Sequence, residues 1–274
     1  MRTFADILSD TQTGNVDYGF VAIENAIEGT VNASLDALAF DVDLRIQREV
    51  VLDITMNLMA PPGTNLDDIT VVASHPVANA QCREYLRKNL PKADVQPANS
   101  TAEAARTASQ TPGTAALGPA LAGELYGLDL VAANIADMAG NQTRFLLVGA
   151  SGVPSPTGHD KTTVVMMQRE DKPGSLVSIL HEFAARNVNL TKLTSRPART
   201  ALGQYCFIAD IAGHINDDVV ANALLNVRAK HADVKFLGSY PAGGAEATLV
   251  RAENNEAWDE AQTWMQSLRG QIER

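Results

Sequence analysis

The sequence predicts an α/β fold that is followed by a ferredoxin-like unit. Strand-like apolar runs alternate with alanine-rich, helix-favouring stretches through the first half of the chain, and this alternation is typical of an α/β sheet. A run of small residues, prolines and glycines then predicts a linker at residues 150–160. Beyond it, the order strand, helix, strand, strand, helix, strand is the βαββαβ pattern of a ferredoxin-like unit.

The predicted first domain, residues 1–149, opens on a helix. Phe4, Ile7 and Leu8 recur at helical spacing, and residues 18–23 form the first buried apolar run that predicts a strand. Further strands are predicted at residues 45–58, 69–73, 114–117 and 143–148. Helices are predicted between them at residues 76–90, 101–110 and 119–126.

The predicted second domain covers residues 161–240 and is followed by a tail, residues 241–274. Its strands are predicted at residues 162–168, 190–196, 204–211 and 234–240, its helices at 175–186 and 217–231, and a turn at 171–174. In the tail one helical face is predicted to carry Ala257, Ala261, Trp264, Met265 and Leu268. We therefore expect an amphipathic helix that docks onto the rest of the protein.

The composition limits the possible partners and cofactors. A formal net charge of -10 over 274 residues argues against nucleic acid and anionic membranes, because both need a basic face. The first ten residues mix charges with apolar residues, which excludes a signal peptide there and predicts a cytoplasmic protein. Cys82 and Cys206 are expected to be reduced thiols, and His and Cys are never spaced like metal ligands, so we expect no metal and no cofactor.

Three short segments place polar residues where an α/β sheet binds ligands, at strand ends and helix starts. Ser74, with His75 and Pro76 after it, predicts a capped helix start. Ser100 and Glu103 have the spacing of a capping box. The pair Glu24 and Asn25 ends a buried strand. Each feature alone is more often structural than functional, and His75 is interpreted as a positioning or surface residue.

A polar cluster, residues 141–145, opens the last predicted strand of the first domain. A turn followed by an edge strand would explain it as well as a binding site would. Arg144 in particular suits either a structural salt bridge or a bidentate partner for a carboxylate.

These motifs together resemble the prephenate dehydratase family. The resemblance is carried by residues 18–31, which contain Ile23-Glu24-Asn25, by Ser74-His75-Pro76 through Gln81-Cys82, by Glu124-Leu125-Tyr126-Gly127-Leu128, and by Asn141-Gln142-Thr143-Arg144-Phe145. In the second domain Pro173-Gly174-Ser175-Leu176 and Thr194-Ser195-Arg196-Pro197 resemble two motifs of the family's ACT regulatory module. The resemblance implies a two-lobed, periplasmic-binding-protein-like catalytic domain followed by a ferredoxin-like ACT domain.

The sequence departs from the family pattern in four places. Ala26 stands where family members usually carry Ser, and Thr194 stands where Glu is usual. Asn99 stands where some members have Glu. The family's N-terminal strand and its Gly-Pro-x-Gly-Thr loop have no counterpart, so we expect either a start codon placed too far downstream or a truncated chain.

The resemblance implies that the protein converts prephenate to phenylpyruvate in phenylalanine biosynthesis. It implies that Thr143 hydrogen-bonds the departing hydroxyl, that Arg144 binds a carboxylate or braces the site, and that Glu24 is either an acid or a bracing carboxylate. Substrate-binding roles fall on Asn25, Ser74, Gln81, Ser100 and Phe145.

The resemblance also implies feedback regulation by phenylalanine at the ACT domain. The implied contacts are Pro173, Gly174, Ser175, Leu176, Asn189, Thr194, Ser195, Arg196 and Pro197. Because the exposed sheet edges of ACT modules commonly pair with a copy of themselves, we expect a homodimer or homotetramer.

Two alternatives stay open at this point. A catalytically impaired protein that binds an aromatic amino acid would have the same two domains. Another anion-handling enzyme, such as an amino-acid transferase or a dehydrogenase, would share the fold, although the chain has no glycine-rich dinucleotide loop.

Overall fold

The computed structural model describes residues 3–170, 172–199, 204–243, 260 and 263–271, and it confirms the α/β prediction. The helices are α1 (Phe4–Gln12), α2 (Asn32–Asp36), α3 (Pro76–Gln81), α4 (Arg83–Asn89), α5 (Thr101–Gln110), α6 (Ala120–Tyr126), α7 (Ser175–Ala184) and α8 (Asp218–Lys230), with a π-helical turn at Ala37–Asp41 and a 3₁₀ turn at Leu66–Asp68. The strands are β1 (Tyr18–Asn25), β2 (Gly29–Thr30), β3 (Arg45–Asp53), β4 (Asn57–Ala60), β5 (Val71–Ser74), β6 (Asp94–Pro97), β7 (Thr114–Gly118), β8 (Asp129–Ala132), β9 (Gln142–Gly149), β10 (Asp160–Gln168), β11 (Leu190–Pro197), β12 (Tyr205–Ala212) and β13 (Ala232–Pro241).

The chain divides into two compact units. The first unit runs to Val51 and resumes at Arg144, and the second unit spans Leu52–Thr143. The first unit therefore contains the ferredoxin-like part together with the start of the chain. The predicted boundaries of the domains, the linker and the tail remain predictions.

The first unit contains two sheets that share one hydrophobic core. Their strand orders are β2-β1-β9-β3 and β11-β12-β10-β13, and the second sheet is antiparallel throughout, with α7 and α8 completing the predicted βαββαβ unit. Ile46 and Leu146 from the first sheet belong to the same buried cluster as Val165 and Ile208 from the second. The two sheets are thus held together by apolar burial.

Helix α1 confirms that the described chain opens on a helix. The Thr3 hydroxyl accepts a hydrogen bond from the Asp6 N–H at 3.2 Å, and the Asp6 carboxylate accepts one from the Thr3 N–H at 2.8 Å. This capping box satisfies N–H groups that the helix itself leaves unpaired. Leu8 is fully buried and anchors the helix to the core of the first unit.

The second unit is built on a mixed sheet with the order β6-β5-β7-β4-β8. Strand β5 runs parallel to β6 and β7, whereas β4 runs antiparallel to β7 and β8. The alanines of α5 allow this helix to pack closely on the sheet, since Ala104, Ala105 and Ala108 are fully buried. The C-terminal ends of β5 and β7 lead directly into α3 and α6.

Two predicted elements are wrong in their extent. The strand predicted at 45–58 is two strands, β3 and β4, which belong to different sheets. The helix predicted at 76–90 is interrupted at Cys82, whose backbone leaves the helical region at φ -120° and ψ 17°. The Asp137 carboxylate accepts hydrogen bonds from the N–H groups of Glu84 and Tyr85 and so provides a new start for α4. Asp137 lies 52 residues away from Tyr85, so no local sequence pattern predicts the interruption of the helix at Cys82.

The tail is described only in part. Residues 263–269 are helical, as predicted, and Trp264 is 59% exposed, so the expected docking is not seen in the part of the tail that the structure describes. Ala257 and Ala261 lie outside the described residues. No helix in the described ranges is long and apolar enough to span a membrane.

Candidate functional site

Strand β9 carries the polar cluster that the sequence singled out. Thr143 is 9% exposed, and Phe145 stacks on Phe20 with ring centroids 4.9 Å apart and an angle of 8° between the rings. Since successive side chains of a strand point to opposite faces, Thr143 and Phe145 share one face of β9, and Arg144 lies on the other.

Arg144 is bound by two carboxylates and a phenol. Its Nε donates to Glu49 Oε2 at 2.8 Å, its Nη1 to Asp210 Oδ2 at 2.5 Å and its Nη2 to Tyr240 Oη at 3.1 Å. Burial alone lowers the pKa of Arg144, but the charges of Asp210 and Glu49 raise that pKa well above its ordinary value. Arg144 is therefore a permanent cation in a buried setting, and two of its partners, Asp210 and Tyr240, belong to the ferredoxin-like sheet.

Glu24 and Asn25, at the end of β1, are both engaged locally. Glu24 lies 2.9 Å from Lys192 Nζ and 3.7 Å from Arg144 Nη1. The Asn25 side-chain oxygen accepts hydrogen bonds from the N–H groups of Ile27 and Glu28 at 3.0 and 2.9 Å, which fixes the turn into β2. The structure thus brings Glu24 and Arg144 together, as the two predicted catalytic residues of the first unit.

In the second unit, Ser74 and Gln81 are buried polar residues at the two ends of α3. Ser74 is 1% exposed and donates to the His75 carbonyl at 3.0 Å. Gln81 is 7% exposed, and its Oε1 accepts a hydrogen bond from the Asn141 side chain at 3.0 Å. The predicted cap needs correction: the N-cap is His75, whose Nδ1 accepts from the Val77 N–H, because Ser74 still belongs to β5.

Ser100 caps α5, as its spacing with Glu103 predicted. The Ser100 hydroxyl accepts a hydrogen bond from the Glu103 N–H at 3.0 Å. The return bond differs from the expected capping box, since the Glu103 carboxylate accepts from the Asn99 N–H at 2.8 Å instead of from Ser100. That hydrogen bond from Asn99 lowers the pKa of Glu103.

A cavity of about 260 Å³ opens in the ferredoxin-like part of the first unit. Its lining combines the start of α7 with the ends of three strands: Gln168, Lys172, Gly174, Ser175, Leu176, Val177, Ser195, Tyr205 and Phe207. Gly174 has φ +88°, a left-handed conformation that favours glycine and lets the chain enter α7.

Four residues predicted to contact an effector line this cavity, namely Gly174, Ser175, Leu176 and Ser195. Pro173, Asn189, Thr194, Arg196 and Pro197 lie outside its lining. Sequence reasoning missed Tyr205 and Phe207, although their spacing of two within a strand is a signal that they share a face. Arg196 instead forms a bidentate pair with Asp36, at 2.7 and 2.6 Å.

The part of the chain that the structure describes contains two free cysteines and no cluster of metal ligands. Among the described residues no group of three His, Cys, Asp or Glu side chains is placed to hold a metal ion. Cys82 and Cys206 are both buried and unpaired. Burial, reinforced by the charge of Asp137, raises the pKa of the Cys82 thiol to about 12, which makes it a poor nucleophile.

Comparison with known proteins gives consistent matches along the chain. The family model for prephenate dehydratase matches residues 1–152, and the model for the ACT domain matches residues 163–229. A prephenate dehydratase of Mycolicibacterium gilvum is 43% identical over 263 residues, which are 96% of this chain and 83% of that protein.

Two solved structures resemble the chain over most of its length. The prephenate dehydratase of Arthrobacter aurescens, solved in complex with L-Phe, has a TM-score of 0.82 and 39% identity, covering 98% of this chain and 90% of its own. A protein named GqqA, described as a novel type of quorum quenching acylase, has a TM-score of 0.76 and 28% identity, covering 88% of each chain.

Proposed function

Since the chain belongs to the prephenate dehydratase family, with an ACT domain behind the catalytic domain, we propose that it converts prephenate to phenylpyruvate under regulation by phenylalanine. The matches to the prephenate dehydratase and ACT models carry this proposal, because together they cover most of the chain. The identity to prephenate dehydratases, 43% and 39%, exceeds the 28% identity to the acylase, so the dehydratase reaction is the one proposed.

The reaction needs little covalent help from the protein. The ring carboxylate leaves as carbon dioxide, the electron pair of its C–C bond enters the ring, and the hydroxyl leaves with the electron pair of its C–O bond. The ring becomes aromatic, and this drives the reaction. The protein must hold a dianion and stabilise the negative charge that develops on the departing oxygen.

Thr143 is proposed as the hydrogen-bond donor to that oxygen. A hydroxyl donates a hydrogen bond but is a weak acid, so Thr143 stabilises the departing hydroxide without transferring a proton to it. Thr143 is 9% exposed, and in a site with little water such a bond stabilises developing charge more than it does in bulk solvent. Asn25, Ser74, Gln81, Ser100 and Phe145 remain proposed substrate-binding residues.

Glu24 and Arg144 are proposed as bracing residues. Arg144 directs its guanidinium to Glu49, Asp210 and Tyr240, on the face of β9 opposite Thr143. Glu24 forms an ion pair with Lys192 at 2.9 Å, which favours a bracing carboxylate over a proton donor. Both residues then act by holding β1 and β9 in place.

The cavity beside α7 is the proposed phenylalanine site. Backbone N–H groups at the start of a helix favour a carboxylate, and Tyr205 and Phe207 offer aromatic surface to an aromatic side chain. The relative from Arthrobacter aurescens was solved with L-Phe bound, which supports this ligand. We further propose a homodimer or homotetramer, since β11 is an edge strand of its sheet and offers unpaired backbone groups to a second copy. A cytoplasmic location is proposed as well.

The test is to incubate the purified chain with prephenate and to measure phenylpyruvate with and without phenylalanine. We expect turnover, a lower rate with phenylalanine, and a loss of kcat of about 100-fold or more for Thr143→Val, which removes the hydroxyl at nearly constant shape. The matched control is Thr107→Val, at an exposed position on α5.

Each outcome separates one reading from another. If the unchanged chain forms no phenylpyruvate but binds phenylalanine in calorimetry, the chain is a regulatory binding protein and not an enzyme. Equal activity of the Thr143→Val and Thr107→Val variants would remove Thr143 from the mechanism and leave the reaction standing.

A further inference from the structure

Strand β9 contacts the regulatory domain through the side chain of Arg144. Arg144 follows Thr143 directly and reaches Asp210 on β12 and Tyr240 on β13. We propose that Asp210 and Tyr240 are positioning residues for the dehydratase reaction, which hold β9 through Arg144 and so orient Thr143. This inference rests on the proposed function, and it makes the ACT domain part of the catalytic apparatus even when no phenylalanine is bound.

The guanidinium of Arg144 directs most of its donors to partners within the first unit. A guanidinium offers five N–H groups in a fixed planar fork. Nε and Nη2 both lie 2.8 Å from Glu49 Oε2, Nη2 also donates to Tyr240, and Nη1 donates to Asp210. The remaining N–H belongs to Nη1, which lies 3.7 Å from Glu24. Arg144 is therefore held in one orientation from several sides.

The hydroxyl groups of Tyr240 and Thr163 connect Arg144 to Asp210 through a chain of hydrogen bonds. The Thr163 hydroxyl donates to Asp210 Oδ1 at 2.6 Å, so it accepts from the Tyr240 hydroxyl, which lies 2.6 Å away. Tyr240 in turn accepts from Arg144. Burial, together with the charge of Asp210, raises the pKa of Tyr240, so its hydroxyl keeps the proton that it donates to Thr163. Asp210 and Tyr240 are thus coupled to each other as well as to Arg144.

The charged cluster around Arg144 takes one carboxylate and one cation from each of the two sheets of the first unit. Glu49 and Asp210 are negative, and Arg144 and Lys161 are positive, with Lys161 Nζ 2.8 Å from Glu49. The side chains of Glu49 and Asp210 are 1% and 6% exposed. If one member of such a buried set is removed, an uncompensated charge remains, and the strand that carries it must shift or admit water.

The pair of Arg144 and Asp210 also differs in polarity from the neighbouring pairs between the two sheets of the first unit. The sheet β11-β12-β10-β13 is called the regulatory sheet below. Its cations Lys161 and Lys192 form ion pairs with Glu49 and Glu24 of the other sheet. Arg144 reverses this order, because here the regulatory sheet supplies the carboxylate. Arg144 therefore has a carboxylate partner in each sheet, Glu49 and Asp210, and Asp210 is the one that links β9 to the regulatory sheet.

The experiment is steady-state turnover of prephenate by the full chain without phenylalanine, comparing Asp210→Asn with Asp233→Asn. Asp233 belongs to the same domain, but it is 72% exposed, and its ion-pair partner Arg169 is half-exposed. We expect Asp210→Asn to lower kcat by about 10- to 100-fold with little change in KM, since small misplacements of a catalytic group cost rates of this order. Asp233→Asn is expected to retain full activity.

A second comparison separates positioning from a general loss of structure. The same change is made in the Thr143→Val background, where an effect that acts through the Thr143 hydroxyl has nothing left to remove. We expect Asp210→Asn to lower kcat no further in that background, whereas a general defect lowers it by the same factor in both. If Asp210→Asn does not fold, Tyr240→Phe, which removes one hydroxyl, is put through the same two comparisons with a smaller expected loss.

Two results would overturn the inference. One is a kcat of Asp210→Asn, or of Tyr240→Phe in its place, equal to that of the control variant, and the other is an equal fall in both backgrounds. If the unchanged chain produces no phenylpyruvate, the proposed function fails and the inference fails with it. Turnover that these variants leave unchanged overturns the inference alone.

Discussion

The bidentate pair of Arg196 and Asp36 connects the regulatory sheet to α2, and its removal is expected to weaken the response to phenylalanine. Arg196 lies on β11, one residue after Ser195, which lines the proposed phenylalanine site. The two side chains point to opposite faces of the strand. A ligand at one face of β11 therefore acts on a strand whose other face is tied to α2.

The magnitude follows from the geometry of the pair. Its two N–O distances are 2.7 and 2.6 Å, and its side chains are 23% and 18% exposed. Charge-assisted hydrogen bonds contribute about 1.5–3 kcal/mol when buried, and exposed pairs contribute about 0–1 kcal/mol. Asp36→Asn keeps one acceptor, so we expect a loss of about 1–2 kcal/mol in the free energy of unfolding.

Urea unfolding and a phenylalanine titration of the turnover rate together form the assay. The matched control is Asp41→Asn, whose partner Arg199 is 48% exposed, and for it we expect at most about 0.5 kcal/mol. The hydrogen bond from Arg196 lowers the pKa of Asp36 below 3.8, so the contribution of the pair is present above that pH and is lost as the pH falls through the lowered value. If Asp36→Asn matches Asp41→Asn both in stability and in phenylalanine response, the reasoning is refuted.

Three further predictions concern stability and reactivity. Gly238→Ala is expected to cost about 1–3 kcal/mol in urea unfolding, because an added Cβ would lie 2.7 Å from the Ile46 carbonyl oxygen and φ is +152°. Burial alone raises the pKa of Glu182, but hydrogen bonds from Arg186, His231 and Lys230 outweigh it and lower the pKa to about 2. The stability that these bonds contribute is therefore present above pH 4.5 and is lost as the pH falls towards 2. Glu182→Gln should remove this acid-side loss from a plot of unfolding free energy against pH. Cys82, with its raised pKa, should resist alkylation at pH 8 until the protein unfolds, and rapid native labelling would contradict its burial.

Local patterns were sufficient to predict most of the fold. The βαββαβ order, the helix at the start of the chain and the N-terminal cap of α5 all depend on spacing within a few residues. The errors arose where a distant residue decides the outcome. Asp137 starts α4 and thereby divides a predicted helix, and the chain leaves one sheet for another between β3 and β4 without any glycine or proline at residues 54–56.

The candidate site was predicted less completely, for the same physical reason. The partners of Arg144 are 66 and 96 residues away in the sequence, so no spacing rule connects them. One signal was present: Asp210 is a single carboxylate inside an otherwise apolar strand, and a buried carboxylate requires a partner. Sequence reasoning left Arg144 open between a salt bridge and a substrate contact, and the contacts found here favour the salt bridge.

The alternation of side chains along β9 explains how one short motif serves two purposes. Thr143 and Phe145 share a face, and Phe145 is fixed there by stacking on Phe20. Arg144 points to the other face and is fixed by the regulatory sheet. A strand held on both faces cannot rotate freely about its axis, so the direction of the Thr143 hydroxyl depends on both contacts. A shift of the regulatory sheet would act on this direction without reaching the substrate, so the proposed role of Arg144 is compatible with a guanidinium that faces away from Thr143.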